Sequence, residues 1–389
     1  MASASTTAIH EGRTDTAPER VGLDSQRLEV LDRHFIGLID AGKLQGASYL
    51  LARDGKIAAH RSMGKLTFKD DGKDLLPDSV RKVYSITKVV TAVAIGQLVE
   101  QGKLFWQQPV ADVIKEFDTD LHRKITIWHL LTHTSGLAGD PGQNMEPYSI
   151  PWYEWHAWEK KQKADKWEAG DWVKLMLAGP LRAKPGEEWI YCTSGFGVLG
   201  EIIARVSGQS FEDYLNDRIF KPLGMNHSFF TVPEELRKET CYTGEWEEKE
   251  IFEPPLDRTG MPPRGGNGLY STLEDLWKFG QAMLDGGSFG GSQILGRRTI
   301  QMIVSNQLRN VRCYSWGQNN NNVKHGIGWS LNSDDICSPG TYSHEGFGHS
   351  GLYIDPKERL VFVYFVPNRA GWVAEAVINP RAIAWSSII

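Results

Sequence analysis

Apolar residues recur every three or four positions through "SQRLEVLDRHFIGLIDAGKL" (25 to 44), which predicts a helix closing at Gly42. The next stretch, "GASYLLARDGKIAAHRSMG", alternates on both sides of Asp54-Gly55, a pair suited to a tight two-residue turn, so a strand hairpin follows the helix. "VYSITKVVTAVAIGQLVEQGKL" (83 to 104) reads as an amphipathic helix, and from about 113 to 240 the pattern is mostly helical with long irregular stretches. Past Gly265, "STLEDLWKFGQAML" is helical; "HGIGWSL", "SGLYIDP" and "RLVFVYFVP" are strand-like; "GWVAEAVINPRAIAWSS" closes the chain as a helix. This order predicts an α+β protein whose sheet is built from both chain ends around a helical insertion. The divisions are a flexible leader (1–22), a discontinuous sheet domain (23–112 and 250–389) and a mainly helical domain (113–249).

At 389 residues, 41% hydrophobic and 23% charged, the chain can fill two packed units. A net charge of -5 supplies no basic field for nucleic acid or anionic lipid. No run approaches the eighteen or so apolar residues of a membrane span, and no apolar signal segment follows Met1, so no membrane partner and a cytoplasmic location are expected. Cys192, Cys241, Cys313 and Cys337 show neither zinc-ligand spacing nor a disulfide framework and read as free thiols, with Cys192 notable beside Tyr191.

Candidate chemistry begins with two S-x-x-K matches, where roughly one or two are expected by chance. Ser62 and Lys65 sit at the end of an alternating strand that Gly64 interrupts, whereas Ser85 and Lys88 fall one turn apart at the start of a helix and share a face. The unpaired N–H groups of that helix start favour an anion at or beside Ser85. "GGSFG" (286 to 290) fits the G-x-S-x-G nucleophile elbow, but a helix precedes Ser288 where the elbow requires a strand. His129 and His133 in "HLLTH" lack the glutamate and third ligand of a zinc site, so no metal is expected.

Three further stretches act together: "ITIWHLLTHTSGL" (125 to 137), "KPGEEWIYCTSGFGVLGEIIARVSGQSFEDYLNDRIFKPLGMNHS" (184 to 228) and "GFGHSGLYIDPKERLVFVYFVPNR" (346 to 369). With Ser85-Ile86-Thr87-Lys88, they make residues 25 to 370 resemble the serine β-lactamase and penicillin-recognising superfamily. The similarity is closest to its class C-like branch, which includes family VIII carboxylesterases, D,D-peptidases, D-aminopeptidases and acyltransferases. The resemblance implies a β-lactamase/transpeptidase-like α+β fold, an antiparallel sheet flanked by helices with a helical domain beside it.

It also implies acyl transfer through an acyl-Ser85 intermediate without a cofactor. Tyr191-Cys192-Thr193 would stand for the family's Y-x-N and His349-Ser350-Gly351 for its K-T-G. Lys88 and Tyr191 are then the candidate bases; at reference values of about 10.4 and 10 neither is free to act at pH 7, and the pair should titrate together. The backbone N–H groups of Ser85 and Leu352 would form the oxyanion hole. Thr193 and His349 depart from the usual Asn and Lys, which removes an amide and a permanent cation and favours a less anionic substrate. Thr193, His349, Ser350 and Gly351 would contact that substrate, and Trp152 and Trp155, from a tryptophan-rich stretch at 152 to 172, would wall its apolar part. A small to medium apolar ester is expected, with at most weak β-lactamase activity. The alternatives are a D-amino-acid amide or peptide, acyl transfer to an alcohol, and a non-catalytic penicillin-binding sensor.

Overall fold

The structure is a computed structural model that describes residues 7–69, 72–140, 171–255, 258, 260–315, 318–319, 323–331, 336–368 and 373–389. Its organising element is a six-stranded antiparallel sheet. The strands are β1 (Ile9–Glu11), β2 (Gly46–Arg53), β3 (Lys56–Gly64), β4 (Tyr342–Gly346), β5 (Ser350–Asp355) and β6 (Leu360–Phe365), in the order β1-β3-β2-β6-β5-β4. Asp54 and Gly55 both take positive φ (52° and 74°), the geometry a two-residue hairpin turn requires, and join β2 to β3.

Side chains of the strands alternate between two apolar layers. Tyr49, Leu51, Phe362 and Tyr364 pack with Leu28, Leu31 and Phe35 of helix α1 (Ser25–Asp40) and with Ala376, Val377 and Trp385 of α5 (Ala374–Ser386). Leu50, Leu352, Ile354, Val361 and Val363 face the opposite way, toward α2 (Thr87–Glu100), α3 (Thr193–Ser207) and α4 (Leu273–Leu284). Strand β2 is buried at nearly every position, because apolar layers cover both of its faces. Asp24 starts α1 by accepting a hydrogen bond from the Gln26 amide at 2.8 Å, and Gly42, at φ 69°, follows its end.

Several details differ from the sequence reading. Residues 9–11, assigned to a flexible leader, pair with Met63, Ser62 and Arg61 as the sheet's outer strand. Helix α2 is not amphipathic: Thr87 through Leu98 are all buried, because it packs against α3 inside the main apolar core. "HGIGWSL" makes only single bridges, His325 to Ser330 and Ser330 to Ser343, with Gly328 at φ 75° breaking the extended run. The apolar layer under the sheet continues through α3 into the helical half, so the two halves share one core.

Candidate active site

Ser85 lies on a single 3-10 turn, Tyr84–Ile86, between a short strand (Val80–Lys82) and α2. Tyr84 holds φ at 47°, a conformation that costs of order 1–3 kcal/mol in a non-glycine residue and persists only where its surroundings dictate it. Those surroundings are present. Val83 N donates to Leu269 O at 2.9 Å, Thr87 Oγ1 donates to Tyr84 O at 2.6 Å, Ser350 Oγ donates to Val83 O at 3.1 Å, and the Tyr84 hydroxyl bonds the Glu247 carboxylate. The turn thus presents half-buried Ser85 at the N-terminal end of α2.

Lys88, one helical turn on and completely buried, makes three hydrogen bonds: to Ser85 Oγ (2.9 Å), Thr193 Oγ1 (3.0 Å) and Gly266 O (2.8 Å). Burial lowers its ammonium to about 8, against the Asp140 carboxylate, which pulls it upward. Tyr191 lies alongside, with Lys88 Nζ 4.7 Å from its ring centre and its hydroxyl hydrogen-bonded with Ser85. Burial raises the Tyr191 phenol well above its ordinary value. The two candidate bases are therefore pushed in opposite directions.

The stretch carrying Tyr191 is held by the "HTSGL" loop. Ile190 N donates to His133 O at 2.7 Å and Cys192 N donates to His133 Nδ1 at 3.1 Å, while the His133 ring lies 4.5 Å from the Tyr191 ring. His129 instead completes a capping box with Thr126. Cys192 is buried and its thiol is pushed up to about 12, chiefly by burial, so it is no reactive thiolate. Thr193, expected to meet substrate, has its hydroxyl turned inward: it accepts from Lys88 and donates to Asp140 Oδ2 at 2.5 Å.

The sheet edge departs most from expectation. His349 sits in the β4–β5 turn at φ 61°, where its N–H donates to Gly346 O. Ser350 supports Val83 beneath the Ser85 turn, and Gly351 lies against the Tyr364 ring, where an added Cβ would approach to 2.3 Å. Leu352 pairs with His344 on one side and Val363 on the other, so its N–H belongs to the ladder of an interior strand. This corrects Leu352 as an oxyanion donor and His349-Ser350-Gly351 as the motif facing Ser85. His344-Glu345-Gly346 on the edge strand β4, a second H-x-G five residues upstream, occupies that place. The His344 ring is 6.3 Å from that of Tyr191, and Gly346 backs onto Val83 O. His344 Nδ1 lies 2.8 Å from the Glu345 carbonyl, which can only accept, so Nε2 keeps its lone pair; burial holds the imidazole near 3 and hence neutral.

A cavity of about 270 Å³ abuts Thr193 and Gly266 and is lined by Trp172, Phe230, Trp246 and Tyr270, with the Lys82–Glu250 ion pair at its wall. Trp152 and Trp155 lie outside the described residues. The rival motifs do not assemble. Ser62 Oγ donates to Leu75 O while Lys65 bonds Asp74, and Ser288 lies in a two-residue strand after α4. Among the described residues no group of three or more His, Cys, Asp or Glu could hold a metal, and no helix is long and apolar enough to cross a membrane.

The beta-lactamase family model matches residues 31–384. The chain belongs to the beta-lactamase family. It is accordingly a serine hydrolase of that family, whose typical substrates are small molecules. It is similar over 95% of its length to a putative D-alanyl-D-alanine carboxypeptidase of Escherichia coli (strain K12), at 25% identity over 410 residues covering 88% of that protein. Among solved structures, a penicillin-binding protein homologue from Caulobacter crescentus superposes with a TM-score of 0.71 at 22% identity, covering 97% of this chain and 99% of that one. A family VIII carboxylesterase superposes with a TM-score of 0.70 at 20% identity, covering 94% and 99%. At these identities the superpositions establish the β-lactamase/transpeptidase-like α+β fold.

Proposed function

We propose that the protein is a carboxylesterase acting on small, uncharged esters, with Ser85 as nucleophile, Lys88 as general base and Tyr191 as proton donor. The observation that carries the reading is the bonding of Lys88. Gly266 O and Thr193 Oγ1 take two of its N–H groups, so the neutral amine directs its lone pair at Ser85 Oγ, 2.9 Å away. With the lysine brought down to about 8, a useful fraction is neutral near pH 7–8.

Ser85 Oγ attacks the ester carbonyl as its proton passes to Lys88. The resulting oxyanion is met by the backbone N–H of Ser85 and that of Phe347, the first residue beyond the last β4–β5 pair. Collapse breaks the bond to the alcohol, whose oxygen takes a proton from the Tyr191–Lys88 pair, leaving acyl-Ser85. Water then attacks the acyl carbon and gives a proton to the pair, which passes it to Ser85 Oγ as the Oγ–acyl bond breaks, releasing the acid and free Ser85.

The substrate preference comes from the sheet edge. His344 is neutral where a lysine would bring a charge for a substrate carboxylate, which favours an ester lacking one. Hydrolysis of p-nitrophenyl butyrate should fall at least about a thousandfold in Ser85→Ala. Equal rates would remove the nucleophile assignment. Turnover of D-alanine p-nitroanilide but not of the ester would replace esterase with amidase chemistry at the same serine.

A further inference from the structure

The Thr193 hydroxyl stands between an acid and a base, and its single proton can go only one way. Asp140 Oδ2 is 2.5 Å from it, the short distance of a charge-assisted bond, and Lys88 Nζ is 3.0 Å away. A carboxylate accepts and does not donate, so the hydroxyl proton points to Asp140 and the oxygen offers Lys88 only a lone pair. Were that proton turned toward Lys88 instead, it would compete with Ser85 for the amine's lone pair.

Building on the reading of Ser85 as nucleophile, we propose that Asp140, acting through the Thr193 hydroxyl, is the positioning residue that aims the Lys88 lone pair at Ser85.

Its placement is built for this. Asp140 N donates to Tyr191 O at 2.9 Å, and Asp140 Oδ1 accepts from Thr193 N, the first amide of α3, at 2.7 Å. The second bond satisfies an unpaired amide at the start of α3 from a remote loop, so a purely structural, cap-like role is the competing explanation. The charge environment separates the two. The titratable groups facing Lys88 from the surrounding elements are Tyr191, Cys192, His133, His344 and Asp140. Burial raises the phenol and the thiol and lowers both imidazoles, leaving all four neutral; Asp140 supplies the charge. It therefore bears on when Lys88 loses its proton as well as on where the lone pair points.

The test is the rate at which a fluorophosphonate labels Ser85, followed against pH in the full chain. Asp140→Asn keeps an oxygen for the Thr193 amide but presents an NH₂ to the Thr193 oxygen, reversing the hydroxyl. Its limiting rate should drop tenfold or more, and its acid limb should move to lower pH because the counter-charge is gone. Thr193→Val should lose a similar factor and Thr193→Ser should recover most of it. Wild-type limiting rate and limb in Asp140→Asn would overturn the proposal, as would a slower rate with an unmoved limb and no recovery in Thr193→Ser, the signature of a cap alone. A wild type that does not label at all would bring down the nucleophile assignment together with this inference, whereas labelling with an indifferent Asp140→Asn would bring down this inference only.

Discussion

At the scale of single residues, the proposed chemistry turns on one proton. If Lys88 works as the neutral amine, kcat/KM should rise with pH through about 8 and fall below it, since the protonated ammonium has no lone pair for Ser85. A rate independent of pH between 6 and 9 would speak against a lysine base. Ser85 and Lys88 were legible in the sequence because an i, i+3 pair at a helix start is brought together by local geometry. Asp140 was not, because it stands 53 positions from Thr193 and only the folding of a loop onto the start of α3 joins them. His344 was missed for a different reason: "HEGFGHSG" contains H-x-G twice, five residues apart, and register in a hairpin depends on where the turn falls. The turn falls at Phe347–His349, which puts His344 on the edge strand and His349 beyond it.

At the scale of elements, the site depends on the β4 edge lying close to the Ser85 turn. Any Cβ at Gly346 would come within 2.2 Å of Val83 O, and a backbone oxygen cannot give way as a flexible side chain could. Gly346→Ala should cost about 1–3 kcal/mol of stability and reduce turnover of p-nitrophenyl butyrate tenfold or more, read by denaturant melts and initial rates. The opposite edge makes the contrasting case. Removing residues 1–12 strips β1 from β3, five strands from the site, so the melting temperature should fall by a few degrees with kcat/KM maintained. A proportional loss of activity would contradict that separation. Helix α1 and the β2–β3 hairpin could be read from periodicity and Asp54-Gly55, since both signals are local. The ordered β1 and the all-round burial of α2 could not, because each is imposed by a neighbour remote in sequence.

At the scale of the whole molecule, burying Lys88 links folding to pH. Its folded value of about 8 lies below the roughly 10.4 of an unfolded lysine, so between those limits the unfolded chain binds more protons and native stability rises with pH. Relative to Lys88→Met, which cannot titrate there, the wild type should gain up to about 1.4 kcal/mol per pH unit between pH 8 and 10. A gap that stays constant would mean that the lysine keeps an ordinary value. The split arrangement, with strands from both chain ends and helices between, was visible in the order of the elements, while the core shared by the two halves emerges only in three dimensions. The central claim is that this fold gathers one reactive serine. Mass mapping of the wild type after fluorophosphonate treatment tests it most directly: a single adduct on the peptide containing Ser85 is the predicted result, and an adduct on Ser62 or Ser288 with Ser85 unmodified would contradict it.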